Sequence, residues 1–362
     1  MAEGSVRVDA EQLRLFAEEV MMAAGCGEYD AKVVSDLMLD ASLRGVDSHG
    51  ISRLGIYSER IAKGLVDGVT KIRIERETSI SALVDGGNGS GGVIALKAME
   101  LAMHKAKENG IGVVGVKNSN HCGTLAYYTA KAADEGLIGF AMTNAPTTMV
   151  PWGARKPWFG TNPFSYAFPV AGDDPIVFDM ATSIVARGKI ILAHKNKKPI
   201  PEGWALDPDG QPTTDPAAAL AGMVLPMSGP KGSGLALMVE FLSGIITGAS
   251  FGPHVGPLYD NPHGKQDVGH FFLAMRPSLF IDLELYNARI KQAIAEIKAL
   301  PPASGFDEVM LPGEPERRKK AERLANGIPL SLEVFEELKR IGAHYGVKRV
   351  LEQITCSKNI KN

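Results

Sequence analysis

From about residue 75 onward, short runs of β-branched and aromatic residues alternate with helix-length segments, and that alternation decides the fold class. The runs fall at 81–84, 112–116, 138–142, 164–168, 176–178 and 270–275, with helical patterns at 93–107, 124–135, 183–194 and 233–247. Strands this short, interleaved with helices, specify an α/β body on a mixed sheet. The two ends of the chain read as helical. Asp9 caps a first helix, with Gln12 three residues on and an apolar stripe of Leu13, Phe16, Ala17 and Val20. Asp30 caps a second, which carries Val33, Val34, Leu37, Met38 and Ala41 and stops at Gly45. A third follows Val46-Asp-Ser-His-Gly50 and ends near Gly64; helices return from about Asp282, through 314–326 and 332–341. At 362 residues the chain is expected to form two closely packed units. These are a discontinuous helical domain of residues 1–75 and 300–362, and an α/β domain of residues 76–299. The stretch 195–216, with its proline, glycine and aspartate, is expected to be a mobile excursion.

Bulk charge narrows the function. The net charge is −2 and no basic tract stands out, so neither nucleic acid nor an anionic membrane is an expected partner. The most basic run, Arg317-Arg-Lys-Lys320, is flanked by Glu314, Glu316 and Glu322 and reads as a solvated helix face. Three cysteines, Cys26, Cys122 and Cys356, make neither a disulfide framework nor a metal-binding CxxC pair. With no apolar signal segment, a reducing, cytoplasmic setting without a metal is expected. Residues 233–250, the most apolar stretch, contain Glu240 and several glycines and read as a buried helix, not a membrane span.

The candidate chemistry centres on His121. A β-branched run from Ile111 to Val116 leads through a polar Lys-Asn-Ser-Asn turn to His121, and a helix-like segment begins at Thr124. Ligands of α/β proteins bind at that edge of the sheet, and imidazole takes and gives protons near neutrality. A loop histidine that caps the helix or faces solvent is the plain alternative. Cys122 beside it is no nucleophile partner, since adjacent residues rarely face each other and no oxyanion motif is present. Gly87-Asn-Gly89-Ser-Gly-Gly92 fits the dinucleotide spacing G-x-G-x-x-G, but the following strand ends Val116-Lys117-Asn118 without the ribose-binding carboxylate. We read it as a packing turn.

Three further clusters carry candidates. In a helix beginning at Ser48 or His49, the residues His49, Arg53 and Tyr57 would share one face and could grip a small carboxylate; an exposed polar face is the alternative. Ser228-Gly-Pro-Lys-Gly-Ser-Gly234 precedes an apolar helix, and Lys231 there suits a phosphate, although the sequence is not a Walker motif. Asp179, ending the run Ile176-Val-Phe-Asp, either accepts ribose hydroxyls or caps the next helix.

Taken in order, these pieces resemble the malate/L-lactate dehydrogenase type-2 family, with its sulfolactate, ureidoglycolate and cyclic imine carboxylate relatives. The matching motifs are Asp47-Ser-His-Gly-Ile-Ser-Arg53, Asn118-Ser-Asn-His-Cys-Gly123, Val150-Pro-Trp-Gly153 and Phe159-Gly-Thr-Asn-Pro163. They continue with Phe178-Asp-Met-Ala-Thr182, Pro212-Thr-Thr-Asp-Pro216, Gly229-Pro-Lys-Gly232 and Leu311-Pro-Gly-Glu314. The resemblance implies a non-Rossmann NAD(P)-binding α/β domain, a helical domain made from both chain ends, and a homodimer with active sites near the subunit interface. It implies His121, and in some relatives His49, as acid/base, with Arg53 and Tyr57 at carboxylate-binding positions. Asp179, Met180, Ala181, Lys231, Gly313 and Glu314 fall at cofactor positions, and Ala145 stands where relatives often carry a cofactor-contacting serine. The expected reaction is hydride transfer between NAD or NADP, NAD being the first choice, and a small 2-hydroxyacid or 2-oxoacid. Malate/oxaloacetate leads, ahead of L-lactate and sulfolactate. A cyclic imine carboxylate reductase is the same-fold alternative, and a catalytically silent nucleotide-binding protein the alternative of another class.

Overall fold

The computed structural model describes residues 5–195, 197–259 and 264–354, so Cys356 lies outside the described residues. The chain divides into two compact units, one holding residues up to Val69 and from Gly313 onward, the other Thr70–Pro312.

In the first unit, β1 (Ser5–Val8) leads into α1 (Ala10–Ala23) and α2 (Glu28–Leu43). Asp9 caps α1 by accepting the Gln12 N–H at 2.9 Å, and Leu13, Phe16, Ala17 and Val20 are buried, as the stripe predicts. The helix α2 starts earlier than expected. Gly27 is its N-cap and Asp30 falls, buried, in the first turn. The expected third helix forms as α3 (Leu54–Ala62), but it starts later, after two 3-10 turns, Asp47–His49 and Ile51–Arg53.

The second unit is built on seven strands: β2 (Arg73–Glu77), β3 (Ser81–Asp85), β4 (Ile111–Ser119), β5 (Ile138–Thr143), β6 (Phe164–Phe168), β7 (Ile176–Met180) and, much later, β11 (Val268–Met275). Their order across the sheet is β2-β3-β4-β11-β5-β6-β7. Only β3 and β4 run parallel; the other neighbours are antiparallel. The sheet is therefore mixed, as the alternation predicts. The edge strand β2 escaped the sequence reading because Arg-Ile-Glu-Arg-Glu is exposed throughout, the charged composition that protects a sheet edge from further pairing.

Two helices, α4 (Gly91–Asn109) and α5 (Ala126–Asp134), cover one face of the sheet. Gly112 and Gly139 both pair with Ala274, and bare backbone at these positions lets α4 and α5 approach closely. A Cβ on Gly112 would overlap the Ala102 carbonyl, and one on Gly139 would come within 2.8 Å of Ala132.

The stretch 195–216 is not the loose excursion expected. After α6 (Arg187–Lys195) come β8 (Ala205–Leu206), β9 (Pro212–Thr213), α7 (Pro216–Ala221) and β10 (Met223–Val224), whose strands form a small antiparallel sheet. Val185, Ile190, Ile200, Ala205, Ala219 and Val224 give it a core of its own, which three two-residue strands did not advertise in sequence.

The apolar helix also departs from expectation. It is α8 (Pro230–Glu240), continued by a π-helical turn, Phe241–Ile245. Gly232, Ala236, Val239 and Glu240 are buried, whereas Leu237, Met238, Phe241, Ile245 and Ile246 are exposed. It is a surface helix with an apolar outer face. The long helix α9 (Leu283–Lys298) completes this unit without burying any residue.

The first unit closes with α10 (Glu314–Asn326), β12 (Ile328–Ser331) and α11 (Leu332–His344); β12 pairs antiparallel with β1. The basic run on α10 is not simply a solvated face, since Lys320 pairs with Asp40 of α2 at 2.7 Å. No helix among the described residues is long and apolar enough to cross a membrane.

Candidate active site

His121 lies two residues past β4, which runs through Lys117-Asn118-Ser119 instead of turning there. Four consecutive residues of this stretch are fixed from outside it. The Asn118 N–H donates to Asp267 Oδ1 at 2.8 Å, and Ser119 Oγ lies 2.8 Å from His270 Nε2. Asn120 Nδ2 donates to the Gly89 carbonyl at 2.9 Å, and the His121 N–H donates to Gln266 Oε1 at 3.1 Å. The imidazole itself is partly buried. Gly123 N–H donates to Nδ1 at 3.4 Å, a long bond that orients the ring.

The glycine-rich turn has a definite use. Gly91 opens α4 against the His121 loop, where a Cβ would overlap the Asn120 carbonyl oxygen and come within 2.5 Å of that of His121. The start of α4 therefore packs on the loop that carries the histidine. This supports the packing reading of Gly87–Gly92 over a pyrophosphate cradle.

Cys122 is buried, and burial pushes its thiol pKa up to about 12. It remains protonated near neutrality and cannot act as a nucleophile. Asp179, at the end of β7, does cap a helix, though not the next one: its Oδ2 accepts the Ala126 N–H of α5 at 2.8 Å. Met180 and Ala181 follow it, partly buried, and Ala145 follows β5. Thr143 at the end of β5 pairs with His270, and Met180 with Phe164, so Ala145 and Asp179–Ala181 occupy the same edge of the sheet as His121.

Lys231 joins that edge through hydrogen bonds. Met227 N–H donates to the Thr182 carbonyl and Gly232 N–H to that of Met227, at 2.9 and 3.0 Å. Lys231 itself is exposed in the first turn of α8, which holds no acidic residue and has no side-chain cap. A cation there opposes the helix dipole, whereas an anion would be stabilised by both. This end of the helix fits a dinucleotide phosphate.

The remaining candidates belong to the first unit. His49 and Arg53 sit in successive 3-10 turns and Tyr57 on α3, so the single helical face expected for them does not form. The turns are nevertheless fixed. Asp47 accepts from Arg323 at 2.5 and 3.1 Å, Arg53 Nε donates to the Ser48 carbonyl at 2.6 Å, and Ser42 Oγ accepts the Ile51 N–H at 2.9 Å. Ser48 Oγ lies 3.0 Å from His49 Nδ1. Burial, helped by the Arg53 charge, pushes the His49 pKa down to about 4, so the ring is neutral at ordinary pH. Gly313 is the left-handed N-cap of α10 and Glu314 its first residue.

Sequence reasoning missed the supports: Gln266, Asp267, His270, Thr143 and Arg323. A signal existed for His270, a polar residue opening an otherwise apolar strand run. It is fully buried, and burial pushes its pKa down to about 3 from the 6.5 of a free ring. The unfolded chain therefore binds one proton more between those values, and stability is lost as pH falls through that window. The slope from this residue approaches about 1.4 kcal/mol per pH unit. Urea unfolding at pH 7, 6, 5 and 4 should show that dependence, made shallower by this amount in His270→Gln; an equal slope in the variant would contradict it.

Residues 8–339 match the family model for malate/L-lactate dehydrogenase. The L-sulfolactate dehydrogenase of Methanocaldococcus jannaschii is 41% identical over 329 residues, 91% of this chain and 94% of that protein. The solved structure of sulfolactate dehydrogenase from that organism superposes with a TM-score of 0.88 at 39% identity, covering 95% of this chain and 98% of that one. The malate dehydrogenase of Pyrococcus horikoshii is 39% identical over 354 residues, covering 96% and 97%. The structure of delta1-piperideine-2-carboxylate reductase from Pseudomonas syringae is also similar, at a TM-score of 0.82 and 30% identity over 92% and 99% of the two chains. Fold and sequence together define an NAD(P)-dependent hydroxyacid dehydrogenase. The chain belongs to the malate/L-lactate dehydrogenase family, as its ordered motifs led us to expect.

Proposed function

We propose that the protein interconverts a 2-hydroxyacid and its 2-oxoacid, with malate/oxaloacetate the leading pair and L-lactate and sulfolactate next. The observation that carries this reading is His121, an imidazole held by its own backbone and three preceding residues at the sheet edge shared with Asp179–Ala181 and Lys231. Bound nicotinamide supplies the hydride acceptor or donor. The chain's own residues do the rest. His121 takes the hydroxyl proton during oxidation and returns one to the carbonyl oxygen during reduction. Arg53 binds the substrate carboxylate with its guanidinium fork, Tyr57 hydrogen-bonds beside it, and His49 serves as a neutral hydrogen-bonding group. Asp179, Met180, Ala181 and Ala145 line the cofactor side, Lys231 holds a phosphate, and Gly313 and Glu314 also serve the cofactor.

Lys231→Ala should weaken NADH or NADPH binding about tenfold, the loss of one charge-assisted contact, with kcat nearly unchanged. Quenching or enhancement of nicotinamide fluorescence measures it; equal affinity in the variant would remove Lys231 from the site. The cytoplasm is the proposed setting and a homodimer the proposed state. For the homodimer, the exposed apolar face of α8 and its π-helical extension is the support on this chain.

The reading is tested by absorbance at 340 nm with NADH or NADPH and oxaloacetate, pyruvate or a cyclic imine carboxylate. Rapid loss with oxaloacetate supports it and settles the cofactor preference. Turnover with the imine alone moves the protein to a reductase of C=N bonds, the reading favoured by the likeness to the piperideine carboxylate enzyme.

A further inference from the structure

Ser119, His270 and Thr143 stand side by side on β4, β11 and β5. His270 Nε2 lies 2.8 Å from Ser119 Oγ, and Nδ1 lies 2.8 Å from Thr143 Oγ1. The Thr143 hydroxyl spends its only proton on the carbonyls of Asn144 and Gly269, at 2.9 and 3.1 Å. Nδ1 must then carry the ring proton and donate it to Thr143, and the Ser119 hydroxyl donates to Nε2. One buried ring thus ties Ser119, two residues before His121, to Thr143 at the end of β5.

The position is a costly one for a polar group. His270 begins the buried row His270, Phe272 and Ala274 in the middle strand of the sheet, where an apolar side chain would pack without any desolvation penalty. The ring is kept neutral there, so it adds direction and not charge.

We propose that His270 is a positioning residue for proton transfer at His121, holding Ser119 at the entry to the His121 loop against Thr143 of β5. It touches no substrate and moves no proton. The proposal rests on the reading of His121 as the acid/base. Gln266 and Asp267 share the task at the backbone, so removal of His270 gives a partial loss.

The test compares His270→Phe, which keeps volume and removes both bonds, with His270→Gln, which keeps an amide donor and acceptor. With oxaloacetate and NADH, His270→Phe lowers kcat about 10- to 100-fold, the scale of a displaced reacting group, while the KM for NADH stays within about twofold. His270→Gln recovers part of the loss. Ser119→Ala lowers kcat less and adds nothing in the His270→Phe background, the non-additivity of a shared path. Histidine-labelled protein gives a readout free of substrate: the His121 ring signals in NMR move or broaden in His270→Phe. Unchanged kcat together with unchanged His121 signals overturns the proposal. Full activity in His121→Ala would instead sink the acid/base reading, and the NMR signals would still decide whether His270 positions the loop. Should His270→Phe not fold, Ser119→Ala and Thr143→Val carry the same comparison.

Discussion

Replacing His121 by alanine is expected to lower kcat by about two to four orders of magnitude, the usual worth of a positioned general acid/base, while folding and NADH affinity are kept. The magnitude follows from the lack of a substitute acid. Burial and Arg53 push the His49 pKa down to about 4, so that ring is a poor proton donor at neutrality. Burial pushes Cys122 up to about 12, so the thiol beside His121 holds its proton. Truncation removes the ring and the long Gly123 N–H bond to it, while the His121 N–H and the Asn120 side-chain amide still hold the loop. Circular dichroism and nicotinamide fluorescence check that the variant folds and binds. Full turnover by a folded, cofactor-binding variant would end the assignment.

Gly91→Ala should destabilise the protein by roughly 2–3 kcal/mol, the upper part of the range for overpacking. Two effects compete. Gly91 lies in the first turn of α4 without a positive φ, so alanine gains up to about 1 kcal/mol in helix propensity. Against that, the new methyl overlaps the Asn120 carbonyl and crowds that of His121, and both obstacles are backbone with no free rotor to swing aside. Sterics win, and relief comes by shifting either α4 or the loop, so kcat should fall with stability. Gly234→Ala is the control, since that glycine lies inside α8 with open space around it and should be neutral or slightly stabilised. A Gly91→Ala melting temperature equal to that of wild type would show that the loop and helix are not in the contact described.

Local signals found what is local. The Asp9 cap, the α1 stripe, the six central strand runs and the helix at 314–326 follow from periodicity and capping, which depend on neighbours in sequence. His121 was legible for the same reason, since strand, turn and helix lie within a few residues. What stayed hidden depends on distant partners. The 3-10 turns at Asp47–Arg53 are held by Ser42 and Arg323, and no local pattern separates them from the start of a helix. For Asp179 the sequence leaves ribose binding and a cap on the following helix both open, because Ala126, whose N–H it accepts, lies 53 positions earlier. The outer face of α8 misled in the other direction. Apolar residues all round suggest burial, and sequence cannot tell a core from a surface that awaits another molecule.

The place of β11 has a consequence for synthesis of the chain. β4 and β5 do not pair with each other; β11 alone joins them, and 151 positions separate Ser119 from His270. A nascent chain that has already made His121 and both flanking strands still has a gap in the middle of its sheet. Until translation passes residue 275, two strand edges stay unpaired and open to the wrong neighbour. Activity should therefore appear late and all at once on the ribosome, and premature termination before β11 should leave an aggregation-prone fragment in place of a weak enzyme.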